Sequence, residues 1–570
     1  MICKFGLTGE CEFGLAGRPG PGPRDPADGP GPWAGSVGRT CGSDPWAGSV
    51  GRVGGLGLRG RVRGLDLWGW ADGPAVRWTG RERAIVRDGE LLLPLVEEWD
   101  RELISADPLG FPGYAEALAA AGGESVRTGL VMSRGVRAVL IQSDFDVFGG
   151  TMGAVAGEKI VRSFRRAVDQ RLPVVAVTRT GGARMQEGMA SLIQMPRTAA
   201  AADEHARAGL LSAIVYRSPT TGGVFASWAS LLDVRAAEPR ATMGFAGPRV
   251  VKEVTGEAPP AWSHTAESAY EAGLVDALVN RADQVAWVDA VLGSADRPVT
   301  DIDAGRIPAS VPTAMPSSAQ QAIRQARSRS RPSGLEWAAA LCSSWVELRG
   351  QDPCIRAGLA RIGGERVMVV AMDRYADGAG AARPGPGAYR LAQRAIKLAD
   401  RIGLPVLTLI DTPGAEPGPA AERDGIAAEI AGTLQAMSRL RMPSVAICVG
   451  EGGSGGAMAL AHADRLFMLP GSIFSVITPE GAAAILYHDG SRAGELAEPL
   501  RLTSSELIGL GIADSVLPEL AADRVGCLQQ AVTSAITTAL PGDRDRRIAK
   551  ATRSFITAGS AGQAEPVARH

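Results

Sequence analysis

The chain has 570 residues, enough for roughly three to five domains of ordinary size. Its 60 basic and 61 acidic residues leave a formal charge of −1, which excludes the broad positive field of a nucleic-acid or anionic-membrane binder. Hydrophobic residues make up 45% and charged ones 21%, a globular composition, and no run of about 18 apolar residues offers a membrane span. The 7 cysteines show no C-x-x-C spacing, so neither a disulfide framework nor a zinc ribbon is expected, and a reducing cytoplasm fits. The opening MICKFGLTGECEFGL lacks the unbroken apolar core of a secretion signal.

Residues 1–80 hold 21 Gly, 8 Pro and 5 of the 11 Trp, and the unit GPWAGSVGRT at Gly31–Thr40 returns as DPWAGSVGRV at Asp44–Val53. Hydrophobic periodicity is absent, so residues 1–85 read as a disordered extension, with a repeat-based binding arm or a stretch outside the physiological product as alternatives. From there to residue 298, short apolar strands (VRAVLIQSDF, LPVVAVTRT, LLSAIVY) alternate with helical stretches, which predicts parallel strands joined by right-handed crossovers. Residues 299–333 are polar and rich in Pro, Ser and Arg, a linker passing into a helix. A second α/β block (VMVVAM, LPVLTLIDT, MPSVAICVG) spans 334–545, and 546–570 read as a flexible tail.

The two blocks follow one plan. LPVVAVTRTGG from Leu172 returns as LPVLTLIDTPG from Leu404, an offset of 232. The glycine pairs Gly222-Gly223 and Gly455-Gly456, the prolines Pro248 and Pro479, and the aspartates Asp276 and Asp514 recur at offsets of 233, 231 and 238. A duplicated domain is the reading. In each copy a strand ends in a Gly-containing turn that opens a helix, at Thr180–Arg184 and Asp411–Ala415, and again at each glycine pair. Such turns either permit tight strand–helix packing or aim backbone N–H groups at a developing negative oxygen. Side-chain chemistry is sparse by comparison. The 5 histidines stand at no metal-ligand spacing, neither G-x-S-x-G nor G-x-x-x-x-G-K-[ST] occurs, and Glu187 and Glu451 near the turns are open to structural or acid–base roles.

These residues carry a family resemblance. ADPLGF, DVFGGTMGAVAGEKIVR, TGGARMQEGMASLIQMPRTAAA and PTTGGVFASWASLLDVRAAEPRATMGFAGPRVV, within 105–290, resemble the beta subunit of the acetyl-CoA carboxylase carboxyltransferase. QARSRSRPSGLEW, LPVLTLIDTPGAEPG and EGGSGGAMALAHADRLFMLPGSIFSVITPEGAAAILY, within 325–518, resemble the alpha subunit. The resemblance implies two crotonase-like ββα superhelical domains in tandem and transfer of a carboxyl group from carboxybiotin on a separate carrier protein to the α-carbon of an acyl-CoA. Two developing oxyanions then need two holes, with the biotin nitrogen available as base. Carried over residue by residue, Gly181 and Gly182 stabilise the thioester enolate, and Gly456 and Ala457 hold the biotin carbonyl. Gly149, Gly150, Ala183, Gly222, Gly223 and Gly244, and in the second half Pro413, Gly414 and Gly455, are the implied substrate-binding positions. Acetyl-CoA, a biotin carboxyl carrier protein and a biotin carboxylase are the implied partners, and a homo-oligomer the implied assembly.

The chain also departs from that pattern. The usual four-cysteine ribbon is missing, since Cys3, Cys11 and Cys41 lack its spacing, so no zinc is expected. The loop MDRYADGAGAARPGPGAYR keeps Arg374 and Arg383 but no lysine, and Glu416 stands at the usual aromatic. Competing readings are carboxylation of propionyl-CoA or another acyl-CoA, a biotin-independent crotonase-like hydratase, hydrolase or decarboxylase, and a degenerate, non-catalytic assembly subunit.

Overall fold

The computed structural model describes residues 90–299, 302, 315–378, 380–517 and 523–556, and the extension drawn at 1–85 lies outside them. The N-terminal sheet comprises β1 (Leu95–Trp99), β2 (Val126–Ser133), β3 (Val136–Ser143), β4 (Val174–Thr180), β5 (Ser212–Thr221), β6 (Val234–Ala237), β7 (Met243–Gly244) and β8 (Ala277–Leu278). Their order is β1-β2-β3-β4-β5-β6-β8, with β7 paired to the far end of β5. β1, β2 and β3 run antiparallel, and the pairs from β3 onward are parallel. The helices Ala154–Gln170 and Gln194–Arg207 make the crossovers that parallel neighbours require.

The C-terminal sheet repeats this plan with β9 (Ser344–Leu348), β10 (Ile355–Ile362), β11 (Glu365–Met372), β12 (Val406–Thr412), β13 (Ser444–Gly453), β14 (Arg465–Met468), β15 (Ile473–Ser475) and β16 (Ser515–Val516). The order is β9-β10-β11-β12-β13-β14-β16, with β15 on the end of β13, and the helices Pro386–Ile402 and Ile426–Arg439 serve as crossovers. Even the hairpins match: Arg134-Gly135 and Gly363-Gly364 both turn through two residues of positive φ, the backbone that a two-residue hairpin between right-twisted strands favours.

Polar details repeat as well. Gly182 N donates to Thr180 Oγ1 at 2.9 Å and Gly414 N to Thr412 Oγ1 at 3.2 Å. The Ser212 amide and hydroxyl both donate to Asp233, as those of Ser444 do to Asp464. Asp276 accepts from Arg235 N at 2.8 Å and Asp514 from Leu466 N at 2.6 Å, so the two aspartates occupy one structural position. One landmark shifts. Thr180 pairs with Thr220 and Thr412 with Gly452, so Gly222 corresponds to Ser454 and Gly223 to Gly455. Gly222 (φ 69°) and Ser454 (φ 55°) share the left-handed conformation, so the glycine doublets of the two halves are offset by one residue in the fold.

Each central strand is buried on both faces, which is why it reads as an unbroken apolar run. One face of the N-terminal sheet (Val139, Ile141, Val174, Ile214) packs under its own crossover helices around Phe164 and Trp228. The other face joins a core shared by both halves, running from Val175, Val215 and Trp287 through Val346 and Leu359 to Leu391 and Ile396. Ion pairs close this seam. Arg394 clasps Asp276 with two bonds of 2.8 Å, and Arg401 reaches Asp233 and the Leu210 carbonyl. These contacts lie at the starting ends of β5, β6 and β8.

The segment read as a linker contains the helix Ala319–Ala326, capped by Ser318 and packed on Ile473 and Leu502. Past residue 545, where the sequence placed the start of a tail, the helix Asp543–Ser554 continues, pinned by Arg544 on Asp464. No described helix is long and apolar enough to cross a membrane.

Candidate active site

The glycine turns lie at the finishing ends of the parallel strands. In the N-terminal half the chain leaves β4 through Gly181-Gly182 and leaves β5 through Gly222-Gly223. A Cβ on Gly182 would stand 2.9 Å from Gly222 Cα and 3.0 Å from Gly223 N, so the two turns touch backbone to backbone. Gly150 presses on the end of β4, its Cβ position only 2.0 Å from Arg179 O, while Met152 bridges to Ala183. Gly244 pairs with Thr221, and Gly222 N donates to Phe245 O at 3.0 Å. All N-terminal residues singled out from the sequence (Gly149, Gly150, Gly181, Gly182, Ala183, Gly222, Gly223, Gly244) therefore gather at one place.

Their N–H groups differ in availability. Gly181 N donates to Gly149 O at 3.0 Å and Gly182 N to Thr180 Oγ1 at 2.9 Å, so the turn spends both of these donors on itself. The short helix Gly222–Phe225 begins at Thr221 without a side-chain cap, and the N–H groups of Gly223 and Val224 meet no acceptor among the described residues. The donors left for a ligand sit one turn over from the Gly181-Gly182 pair that the sequence suggested.

The C-terminal half is built alike. A Cβ on Gly453 would lie 2.2 Å from Pro413 O, and one on Gly456 2.7 Å from Ala415 N, so Pro413-Gly414 and the Gly455-Gly456 turn are in backbone contact. The helix Ser454–Ala461 starts at Gly453 with no side-chain cap. Gly455 faces open space, Gly456 and Ala457 are buried, and the N–H groups of Gly455 and Gly456 find no acceptor among the described residues. As first-turn donors they carry the partial positive charge of the helix start.

Charged side chains brace both turns from behind. Arg184 is fully buried and binds Glu124, Tyr114 Oη at 2.9 Å, Ser125 Oγ at 2.7 Å and Thr151 O at 3.0 Å. Burial alone would raise the Glu124 carboxyl, but the Arg184 guanidinium outweighs it and holds that carboxyl below its usual range. Glu187 accepts from Tyr114 Oη and from Ala154 N, both at 2.5 Å, and so caps the helix Ala154–Gln170. In the other half Arg327 grips Glu451 at 2.8 Å and Glu480 at 2.8 Å. Glu187 and Glu451, left open by the sequence, thus both hold bracing contacts behind the turns.

Sequence reasoning placed Asp411 at the start of a glycine turn without giving it a role, and did not single out Tyr389. Asp411 is wholly buried just ahead of the Thr412-Pro413-Gly414 turn, and its Oδ1 accepts from Glu451 N at 3.1 Å, while Oδ2 has no partner. Burial pushes its carboxyl up to about 6 against the pull of Arg374. The Tyr389 hydroxyl, also buried without a partner, lies 2.6 Å from the Cβ position of Gly456. Among the described residues no cluster of His, Cys, Asp or Glu is arranged to hold a metal, and Cys3, Cys11 and Cys41 lie outside them.

The chain is similar to known proteins along both halves. A family described as "Carboxyl transferase domain" matches residues 109–299, and one described as "Acetyl co-enzyme A carboxylase carboxyltransferase-like" matches 314–545. The acetyl-coenzyme A carboxylase carboxyl transferase subunits beta/alpha of Salinispora tropica are 41% identical over 441 residues, covering 72% of this chain and 78% of that protein. The chain belongs to the acetyl-CoA carboxylase carboxyltransferase family. It is a transferase, with a beta-type half fused ahead of an alpha-type half. The Parafrankia relative of the same description is 38% identical over 557 residues, covering 86% of this chain and 89% of its own. The transcarboxylase 12S hexamer, solved with methylmalonyl-coenzyme A and methylmalonic acid bound, superposes with a TM-score of 0.60 at 21% identity, over 72% of this chain and 82% of that one. That likeness shows that the two chains share a fold.

Proposed function

We propose that the protein is the carboxyltransferase component of a cytoplasmic acetyl-CoA carboxylase, forming malonyl-CoA for fatty acid or polyketide synthesis. Its co-substrate is carboxybiotin, delivered on a separate carrier protein and loaded by a separate biotin carboxylase. The observation that carries this reading is the pair of backbone turns, one per half, that each present N–H donors with no acceptor among the described residues. In the N-terminal half Gly223 and Val224 face the thioester oxygen as the α-proton leaves, with Gly181, Gly182 and Gly222 fixing their position. In the C-terminal half Gly455 and Gly456, followed by Ala457, receive the urea oxygen of the carried group, and the open side of Gly455 leaves room for it. That group supplies both the carboxyl and the base. Each hole lowers the barrier by about 2.7–4 kcal/mol.

The geometry favours sites shared between two copies. The helix Pro386–Ile402 lies along the starting edge of the N-terminal strands, with Arg401 at Leu210 and Arg394 at Asp276. The N-terminal turn lies at the other end of β5, ten residues away, or roughly 30 Å. Both halves expose apolar side chains at matching places, Phe245 and Val254 in one and Val476 and Ile485 in the other, as faces for a second copy. The test is transfer from carboxybiotin to a panel of acyl-CoAs by the purified chain. Malonyl-CoA as main product supports the reading; methylmalonyl-CoA as main product reassigns the substrate, and no product from any acyl-CoA refutes it.

A further inference from the structure

Arg383 is a half-buried cation that the fold leaves without an acceptor. Among the described residues its guanidinium makes no hydrogen bond and no ion pair. Its Nη1 lies 3.2 Å from the place a Cβ on Gly414 would take, and Gly453 O is 3.7 Å from that same point. It therefore stands at the contact between the two C-terminal turns. The acids around that contact are engaged elsewhere. Asp411 is held by Arg374 and Glu451 N, Glu451 by Arg327, and Glu416 Oε1 accepts from Gly418 N at 2.9 Å. A half-buried guanidinium with no protein anion keeps its donors available for an anionic ligand.

We propose that Arg383 binds the transferable carboxylate, forming an anion subsite beside the C-terminal hole. The proposal rests on the carboxyltransferase reading above. With the urea oxygen at Gly455 and Gly456, the carboxylate on the neighbouring nitrogen is the anion closest to this turn. The phosphates of coenzyme A are separated from the reacting carbon by the whole pantetheine arm. The planar fork of arginine suits two carboxylate oxygens and does so better than an ammonium. The contact exists before the transition state, so its loss acts on KM more than on kcat.

The experiment compares wild type, Arg383→Met and Arg383→Lys in steady-state transfer from free carboxybiotin, with calorimetric binding of malonyl-CoA and acetyl-CoA alongside. Arg383→Met is expected to raise the KM for carboxybiotin about 10- to 100-fold, to leave the KM for acetyl-CoA unchanged, and to abolish the tighter binding of malonyl-CoA over acetyl-CoA. Arg383→Lys keeps charge and stem, is expected to lose about 3- to 10-fold, and decides the matter if the methionine variant does not fold. An unchanged carboxybiotin KM and an unchanged malonyl-to-acetyl affinity ratio overturn the proposal while the wild type still transfers. A wild type that transfers nothing overturns the underlying reading and this proposal with it.

Discussion

Adding one carbon at Gly456 tests the C-terminal hole directly. A methyl group there would lie 2.6 Å from Tyr389 Oη, 2.7 Å from Ala415 N and 3.1 Å from Ala415 Cβ. The tyrosine can yield, but Ala415 N is backbone, so Gly456→Ala must push the Pro413–Ala415 turn away from the helix start. Overpacking of this kind costs about 1–3 kcal/mol of stability. Misplacing one oxyanion donor costs about 10²- to 10³-fold in kcat. Gly456→Ala is therefore expected to lose that much kcat with carboxybiotin, while calorimetric affinity for the acyl-CoA, bound in the other half, stays within about threefold of wild type. Gly455→Ala is the stability control: its Cβ meets nothing within 4 Å, so urea unfolding should not change. Adding Tyr389→Phe to Gly456→Ala removes one of the two closest contacts and should restore part of the stability. A Gly456→Ala enzyme with wild-type kcat would refute the hole; one that is destabilised yet fully active would show that the turn is packing alone.

Three further outcomes are expected. Mixing folded Gly182→Ala and Gly456→Ala chains under subunit exchange should recover about a quarter of wild-type activity, because sites shared between copies then include some with two intact turns; no recovery despite exchange would place both turns of a site in one chain. Asp411→Asn should stabilise the protein at pH 8 by up to about 3 kcal/mol. The folded-state value near 6 exceeds the unfolded one, so the wild type gains stability as pH falls through 6, and urea unfolding at pH 8 and pH 5 should show the gap narrowing. Deleting residues 1–85 should leave kcat/KM unchanged, and stoichiometric zinc found in the full chain by elemental analysis would contradict the expectation of a ribbon-free extension.

The repeat and the turns were legible because glycine and proline at strand ends are the residues that backbone geometry restricts most. What the sequence hides is which N–H remains available. Gly181 and Gly182 look like donors, yet Gly181 N already donates to Gly149 O, on a loop 32 residues earlier that the fold brings alongside, and Gly182 N donates to Thr180 Oγ1 within its own turn. Ser454 takes the left-handed place of Gly222 although serine seldom adopts it, so composition pointed one residue too far along. Asp411 and Arg383 lie in stretches the sequence did mark, the Asp411–Ala415 turn and the loop that keeps Arg374, but which partners they have or lack, like the burial of Tyr389, is set by position alone. The helix at Ala319–Ala326 did leave a readable trace, Ser318 three residues ahead of Gln321, inside a stretch whose Pro and Ser otherwise suggest open chain.

The shared core has a consequence for how the chain is made. When residue 299 has left the ribosome, Val215, Trp287 and Val291 are already in place, but the Leu391 and Ile396 side chains that cover them belong to a helix ending at Ile402. At bacterial or eukaryotic synthesis rates that interval of about 100 residues lasts roughly 5–20 s. Through it the nascent N-terminal half displays an apolar face, and Asp233 and Asp276 await Arg401 and Arg394. The next element to emerge is a near-copy of its own sheet, so strand exchange between the halves competes with correct docking. A chain stopped after residue 299 keeps that face open for good, and is expected to be retained by chaperones or to self-associate where the fused chain does not.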